Sequence, residues 1–373
     1  MTLPSPSFPD PSPADQAAMR QALALARQAI ALTEPNPRVG CVITDAAGRV
    51  LGQGHTQQAG GPHAEVMALR DAAARGEDVR GATAYVTLEP CSHHGRTPPC
   101  CDALVAAGLG RVVAAIEDPN VLVSGQGHAR LRAAGIRVDV GLGGDESREL
   151  NIGFFSRMQR GRPWVRLKAA VSLDGRSALE NGVSQWITGE AARTDGHAWR
   201  RRAGAVLTGV GTVRDDNPRL DVRLVDTPRQ PLRVVLDSQL ATPPEARILD
   251  APGSVLIVAA RADAARADAL RARGAEIVEA PAPDGRVDLP TVLRLLGERG
   301  INELHVEAGR TLSGAFAQQR LVDEYLVYLA PKLLGRGRDL ATFGPLTDLG
   351  DAVTLQFHDV ERVGTDLRVL ARP

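Results

Sequence analysis

The segment TLEPCSHHGRTPPCCDAL (residues 87–104), taken with His63-Ala64-Glu65 upstream, decides how the first half of this chain is read. Four of the eight histidines and three of the four cysteines fall between His55 and Cys101. His63, Cys91 and Cys100 supply one imidazole and two thiolates, a three-ligand zinc set whose fourth position stays open, as catalysis requires. A zinc ion so held lowers the pKa of water toward neutrality and makes it a nucleophile. Glu65 lies two residues after His63, at the expected start of a helix. From the first turn it can point past the helix end to the same place and carry protons to and from a reacting group. Cys91 is expected after a strand end and Cys100 at the opening of the next helix, where free N–H groups favour ionised thiols. On spacing alone Cys101 competes with Cys100. A purely structural zinc site, closed by Cys101, His93 or His94, is the plainer alternative, but it leaves the placement of Glu65 unexplained.

Outward from this cluster, the pattern alternates between strand and helix. Asp15 reads as a helix N-cap before Met19, Leu23, Ala26 and Ile30 at helical spacing. Apolar β-branched runs at 39–44 and 50–54, separated by turn residues 45–48, predict two strands. Helices are expected at 63–74, 99–107, 128–134 and 154–158, and strands at 84–88, 112–116 and 136–140. RGRP at 160–163 interrupts the last helix and marks a boundary. Beyond it strands are expected at 164–171, 205–208, 232–237, 254–258, 303–307, 324–329, 353–360 and 367–371. Helices are expected at 190–201, 262–273, 289–299 and 311–319. Two tandem α/β domains result, 15–160 and 161–373, behind a disordered Pro/Ser tail at 1–14.

At 373 residues the chain suits two cores, and its 44 basic and 44 acidic side chains cancel. With aromatic residues at 3%, a basic, base-stacking surface for nucleic acid is not expected. No apolar run reaches the roughly 20 residues that span a bilayer, and the N-terminus lacks a signal-peptide pattern. A cytoplasmic enzyme acting on a small molecule is expected. In a reducing compartment its cysteines serve as ligands or core residues, Cys41 being a core residue.

The pattern H-x-E…P-C-x-x-C is the signature of zinc deaminases acting on nucleobases, with eight residues here between the two thiols instead of two. That insertion carries a closer resemblance. Residues 87–104, together with PNPRVGCVI, KAAVSLDGRSA, SQWITG, TGVGTVRDDNPRLDVR, VVLDSQ, VEAGRTLSGAF and LVDEYLVYLAPKLLG, closely resemble the bifunctional deaminase–reductase family of riboflavin biosynthesis. The resemblance covers nearly the whole chain after the tail. It implies a cytidine-deaminase-like three-layer α/β/α domain followed by a dihydrofolate-reductase-like α/β domain. The first would deaminate 2,5-diamino-6-ribosylamino-4(3H)-pyrimidinone 5′-phosphate. The second would reduce the ribosyl group of the product, 5-amino-6-(5-phosphoribosylamino)uracil, to ribityl with NADPH. It also implies one zinc per chain, with Cys100 and not Cys101 as the second thiolate. Asn36, His55, His93 and Arg96 are the implied substrate contacts of the deaminase pocket; Asn36 also reads as a turn residue whose amide can meet a heterocycle edge. Where the family often has a second proline after DPN, this chain has Val121.

The second half is less legible by itself. No G-x-G-x-x-G follows a strand, so an ordinary dinucleotide fingerprint is missing. Small residues at 208–212 and 309–314 follow expected strands, and the latter place free N–H groups at a helix start, a cradle for a cofactor phosphate. The resemblance implies NADPH contacts at Ala170, Trp186, Thr212, Asp216, Ser238, Gly309, Arg310, Thr311, Leu312, Ser313, Gly314 and Ala315. It implies substrate contacts at Ser184, Arg200, Leu220, Arg223 and Glu307, with Arg200 and Arg223 suited to a sugar phosphate. Lys168 and Glu307, near strand ends, are the candidate proton donor and acceptor for opening the ribose ring. His197, His305 and His358 are expected to be structural or solvated. Apolar residues in the last strands suit a homodimer or larger homo-oligomer. A nucleoside or tRNA base deaminase with an unrelated binding domain, and a zinc-containing sensor, are the competing classes; the first leaves more than half the chain unused, and the second leaves Glu65 and Lys168 idle.

Overall fold

The computed structural model describes residues 11–93, 98–120 and 123–373. The chain divides into two compact units, Met1–Arg160 and Gly161–Pro373.

In the first unit the elements run α1 (Pro13–Gln28), β1 (Gly40–Thr44), β2 (Val50–His55), α2 (Ala64–Ala74), β3 (Thr83–Val86), α3 (Cys100–Ala106), β4 (Arg111–Ala114), α4 (Gln126–Ala133), β5 (Arg137–Val140), α5 (Gly144–Leu150) and α6 (Ile152–Arg160). The sheet order is β2-β1-β3-β4-β5. β1 runs antiparallel to β2 and β3, while β3, β4 and β5 are parallel. Strand alternation splits the core in two. Val42, Tyr85 and Val113 pack with Met19, Ala22 and Leu23 of α1 on one face. Cys41, Ile43, Ala84 and Val86 pack with Ala64, Ala68, Leu104 and Leu131 from α2, α3 and α4 on the other. This is the three-layer arrangement.

Two glycines bring α2 unusually close. A Cβ at Gly52 would lie 2.3 Å from the Ala68 carbonyl, and one at Gly54 would lie 2.5 Å from Met67 Cβ. Only bare backbone admits the helix at that distance, and the helix start carries His63 and Glu65.

The start of α1 differs from expectation. Ser12, not Asp15, is the N-cap, and residues 13 and 14 are helical instead of belonging to a tail. Asp15 is the third residue of a capping box: Ser12 Oγ accepts from Asp15 N at 3.1 Å, and the Asp15 carboxylate accepts from Ser12 N at 3.0 Å. Asp15 also accepts from Tyr85 Oη at 2.8 Å and Arg111 Nη1 at 2.7 Å. Ser12→Ala is expected to cost about 1 kcal/mol in urea unfolding, and a change below about 0.3 kcal/mol would show that the cap is idle.

The second unit contains β6 (Trp164–Ser172), β7 (Arg176–Leu179), α7 (Glu190–Arg202), β8 (Ala205–Gly209), α8 (Val210–Asp216), β9 (Leu232–Leu236), α9 (Arg247–Asp250), β10 (Val255–Ala259), α10 (Ala264–Ala272), β11 (Ala275–Glu279), α11 (Leu289–Glu298), β12 (Glu303–Val306), α12 (Arg310–Gln318), β13 (Glu324–Ala330), β14 (Gly337–Asp339), a 3₁₀ turn at Leu349–Asp351, β15 (Gln356–Val363) and β16 (Asp366–Arg372). Nine strands form one sheet, ordered β11-β10-β9-β8-β12-β6-β13-β16-β15, and β14 pairs with β7 separately. β11 through β13 are parallel, and β16 and β15 close the edge antiparallel. Val165, Leu207, Val234 and Leu304 meet α11 and α12 on one face, while Val206, Val235 and Ile257 meet α9 and α10 on the other. Of the glycine-rich segment read at 208–212, residues 210–212 open a helix, α8, with Gly209 as N-cap. The short elements α5, β7, α9, β11 and β14 have no counterpart in the sequence reading.

β6, β12 and β13 share a buried charge network. Arg166 donates to Glu303 at 2.9 Å and to Glu324, with all three side chains at most 2% exposed. Arg202 from α7 completes Glu303 at 2.8 Å, Arg372 from β16 completes Glu324 at 2.6 Å, and the Trp199 ring lies 4.3 Å from the Arg166 guanidinium carbon.

Candidate active sites

In the first unit His63 caps α2, Glu65 is its second residue, and Cys100 is the first residue of α3. His63 Nδ1 lies 3.6 Å from Cys91 Sγ and 3.3 Å from Cys100 Sγ, and Cys100 N donates to Cys91 Sγ at 3.3 Å. The three donor atoms all lie within 4.8 Å of one another, and no fourth His, Cys, Asp or Glu joins them among the described residues. Cys101 is turned away, its thiol donating to the carbonyls of Pro90 at 3.2 Å and Gly127 at 3.5 Å. That removes it as a ligand and as a fourth, closing one. One hundred degrees of helix rotation per residue separate the two thiols.

The donor set fits zinc: soft sulfur and imidazole nitrogen, convergent, with a side left open. The hydrogen bond from Cys100 holds Cys91 down to about 4, and the same bond followed by burial holds Cys100 well above an ordinary thiol. Two ionised thiols side by side are thus disfavoured, a cost that a bound cation would offset. Glu65, 3% exposed, is pushed up to about 7 by burial first and the Cys91 charge second. Such a carboxyl can hold or release a proton near neutrality.

The expected substrate contacts are placed unevenly. His55 ends β2, half-buried, and burial lowers its pKa toward the neutral imidazole. Asn36 sits in a turn, its N–H donating to the Thr33 carbonyl at 2.9 Å. His93 is exposed, and His94, Arg96 and Val121 lie outside the described residues. One residue to which the sequence reading gave no role is Glu89. Its buried carboxylate accepts backbone N–H groups of Asp118 at 3.2 Å, Gly125 at 2.9 Å, Gly127 at 2.9 Å and His128 at 3.3 Å. It thereby anchors the Pro90-Cys91 turn to the start of α4. The signal was an acid directly before Pro-Cys at a strand end.

The second unit holds a cavity of about 970 Å³ along the C-terminal ends of β6, β8 and β12, where ligands of open α/β sheets bind. Lys168, Ala170, Ser184, Trp186, Arg200, Thr212, Asp216, Leu220, Arg223, Glu307 and residues 309–312 all line it. Ser238, Ser313, Gly314 and Ala315 do not. The Ser238 carbonyl accepts from Ala260 and Arg261 at the end of β9. Ser313 Oγ donates to the Ala308 carbonyl at 3.2 Å, a Cβ on Gly314 would strike the Thr342 carbonyl at 1.9 Å, and Ala315 packs on the core. Of the expected cradle, only Gly309 and the first turn of α12 line the cavity, while the next turn faces the protein. Eight basic and four acidic side chains line the cavity, Arg193, Arg219, Arg247 and Arg338 among the basic ones beyond those expected. A cationic wall of this kind fits phosphorylated ligands, including a dinucleotide.

Glu307 is the electrostatic centre. Arg200 grips it with Nε and with Nη2 at 3.0 Å, Lys168 Nζ lies at 3.5 Å and His305 Nε2 at 3.4 Å. Burial works against its charge, but Arg200 and then Lys168 outweigh it and hold the carboxyl well below its usual range. Arg200 Nη1 is also spent on the Asp221 carbonyl at 3.0 Å. The guanidinium expected at a sugar phosphate is thus committed to Glu307. His197 is neutral: burial first, then Arg200 and Arg223, lower it to about 4, and its Nδ1 accepts from Arg223 N at 3.2 Å.

Comparison with known proteins matches each unit separately. Residues 12–116 match the family described as cytidine and deoxycytidylate deaminase zinc-binding region, and residues 163–369 match the RibD C-terminal domain. Riboflavin biosynthesis protein RibD of Escherichia coli (strain K12) is 46% identical over 95% of this chain and 98% of its own length. That of Aquifex aeolicus is 41% identical over 95% and 97%. Among solved structures, Acinetobacter baumannii RibD superposes with a TM-score of 0.86 at 41% identity, covering 96% of this chain and 99% of that one. The Thermotoga maritima diaminohydroxyphosphoribosylaminopyrimidine deaminase/5-amino-6-(5-phosphoribosylamino)uracil reductase gives 0.84 at 34% identity, covering 96% and 98%. With a zinc-deaminase unit, a second unit matching the RibD C-terminal domain, and relatives aligned from end to end, this chain belongs to the RibD family of riboflavin biosynthesis.

Proposed function

We propose that the chain catalyses two consecutive steps on one pyrimidine: hydrolytic deamination of 2,5-diamino-6-ribosylamino-4(3H)-pyrimidinone 5′-phosphate, then NADPH-dependent reduction of the product's ribosyl group to ribityl. The observation that carries this reading is the open three-donor cluster beside the buried carboxyl of Glu65. His63, Cys91 and Cys100 would hold one zinc per chain. When bound, zinc supplies a Lewis acid that makes water a nucleophile at neutral pH. Glu65 takes a proton from the attacking water and returns protons to the ring and the departing ammonia. Asn36 and His55 orient the heterocycle; the neutral imidazole of His55 can donate and accept.

Gly309 and the first turn of α12 would hold the phosphates of NADPH, which when bound would supply the hydride for reduction at the sugar C1. Opening the ribose ring needs a proton at the ring oxygen. Glu307, held ionised, does not donate one at neutral pH; Lys168 does, with Glu307 orienting its ammonium. Trp186, 60% exposed against the cavity, offers a flat surface for a ring. The neutral net charge and the use of both units argue against a tRNA deaminase. A cytoplasmic, homo-oligomeric enzyme completes the reading: all four cysteines are free, and the edge strand β15 exposes Phe357 and Val360. Among the described residues no helix is long and apolar enough to cross a membrane.

The test is removal of the metal by a chelator. Zinc-loaded protein should consume NADPH with either pyrimidine. Stripped protein should fail with the diaminopyrimidine, still reduce the deaminated compound, and recover on adding zinc. If stripped protein deaminates at the loaded rate, the metal assignment is wrong; if loaded protein consumes no NADPH with either compound, the reductase assignment is.

A further inference from the structure

One wall of the reductase cavity is organised around an acid that the reaction itself does not use. Asp221 is 2% exposed, yet its two carboxylate oxygens each hold a different guanidinium. Arg219 Nε donates to Oδ2 at 2.9 Å, and Arg223 Nη1 donates to Oδ1 at 2.6 Å. Both arginines line the cavity and remain partly exposed, at 38% and 46% of their side chains. The backbone carrying them is built at some expense. Asn217 (φ 42°) and Leu220 (φ 51°) both occupy the left-handed region, which a leucine rarely adopts. Leu220 is buried in the core beneath, and Val222 is clamped by the Gln230 side chain through its N–H at 2.7 Å and its carbonyl at 2.8 Å.

We infer that Asp221 is a positioning residue that holds Arg219 beside Arg223 as a two-guanidinium clamp for the phosphate monoester of the reductase substrate, with Arg219 making the second contact. The inference rests on the proposed function, since it needs a phosphorylated substrate. Asp221 occupies the Nε edge of Arg219 and one Nη of Arg223, so both guanidiniums keep N–H groups for a ligand. The shared carboxylate offsets one of the two positive charges, which lets the arginines stay close without a ligand, and it immobilises long side chains before binding. Arg200 also lines the cavity, but Nε, Nη2 and Nη1 each already donate to Glu307 or the Asp221 carbonyl. The first turn of α12, with Arg310 at its start, forms a separate anion-binding feature. One cavity thus offers two anion-binding features, as two phosphorylated ligands require.

The experiment uses the full chain with Arg219→Gln, Asp221→Asn, Asp221→Glu and, as reference, Arg223→Gln. Binding of ribose 5-phosphate, of ribose and of NADPH is measured by calorimetry, and kcat and KM of the reduction are measured separately. Arg219→Gln should weaken ribose 5-phosphate about tenfold and raise KM about tenfold, with kcat within about twofold. Ribose and NADPH binding should not change. Asp221→Asn should act in the same direction, and Asp221→Glu should restore part of the loss. Unchanged ribose 5-phosphate affinity in Arg219→Gln would overturn the clamp, and unchanged or tighter affinity in Asp221→Asn would overturn the positioning role. If the wild type reduces nothing, the proposed function fails instead. Retained NADPH affinity separates each of these outcomes from misfolding.

Discussion

Glu65→Gln is expected to lower kcat for deamination by about 10³-fold while leaving zinc content and the reduction of the deaminated pyrimidine unchanged. The substitution is nearly isosteric, so the wall at the start of α2 stays filled, but an amide neither takes a proton from water nor returns one to the leaving nitrogen. General acid–base catalysis contributes about 10²–10⁴-fold for one transfer, and here one side chain serves several transfers in sequence. Its burial leaves little room for bulk water to substitute. Because the proposed metal donors are His63, Cys91 and Cys100 and not Glu65, metal analysis of the variant should match wild type. Ammonia release and NADPH consumption, measured separately, distinguish the two units. A loss of less than about tenfold, or a loss that tracks zinc content, would make Glu65 a structural support.

The second large effect concerns stability. Arg166→Ala should destabilise the second unit by about 3–5 kcal/mol, because two buried carboxylates lose their shared partner. For a unit of this size that lowers the thermal midpoint by roughly 10 °C. Arg202 and Arg372 keep their hydrogen bonds to Glu303 and Glu324, which holds the loss to that range. The pH dependence follows in sign. Burial raises the pKa of Glu324, but Arg166 and then Arg372 outweigh it, so the folded value lies below 4.5. A depressed carboxyl stabilises the fold above its unfolded pKa, and that contribution disappears as pH falls through the folded value. Wild type should therefore lose its advantage over Arg166→Ala below about pH 4.5. Thermal melts of the full chain between pH 3 and 7 measure this. A variant within about 2 °C of wild type at pH 7 would mean that the network contributes specificity but little stability.

The first site could be read from residues close along the chain. His63 and Glu65 share one helix start, and Cys91 and Cys100 bracket one loop. Their chemistry therefore followed from residue type and spacing. The choice between Cys100 and Cys101 did not, because it depends on the phase in which α3 begins; the structure points Cys101 at the Pro90 carbonyl. Ser12 and Asp15 are both good caps, and only the reciprocal hydrogen bonds show that Ser12 ends the extended chain while Asp15 reaches back. The short elements α5, β7, α9, β11 and β14 escaped because runs of three to seven residues carry too little periodicity to distinguish them from turns.

In the second unit, sequence alone determined the alternation of strand and helix and, through long motifs, the family. It could not determine the site. Lys168, Arg200, Asp221 and Glu307 are far apart in the chain, and no local pattern links them. They meet because β12 inserts between β8 and β6, an arrangement imposed by burial of both sheet faces and not by any segment's own propensity. The same tertiary event paired Arg200 with Glu307, and Arg219 and Arg223 with Asp221. Residue type determined which chemistry each side chain could perform. Packing alone decided which partner it would have, because the cost of burying an unpaired charge is met only when the strands are assembled.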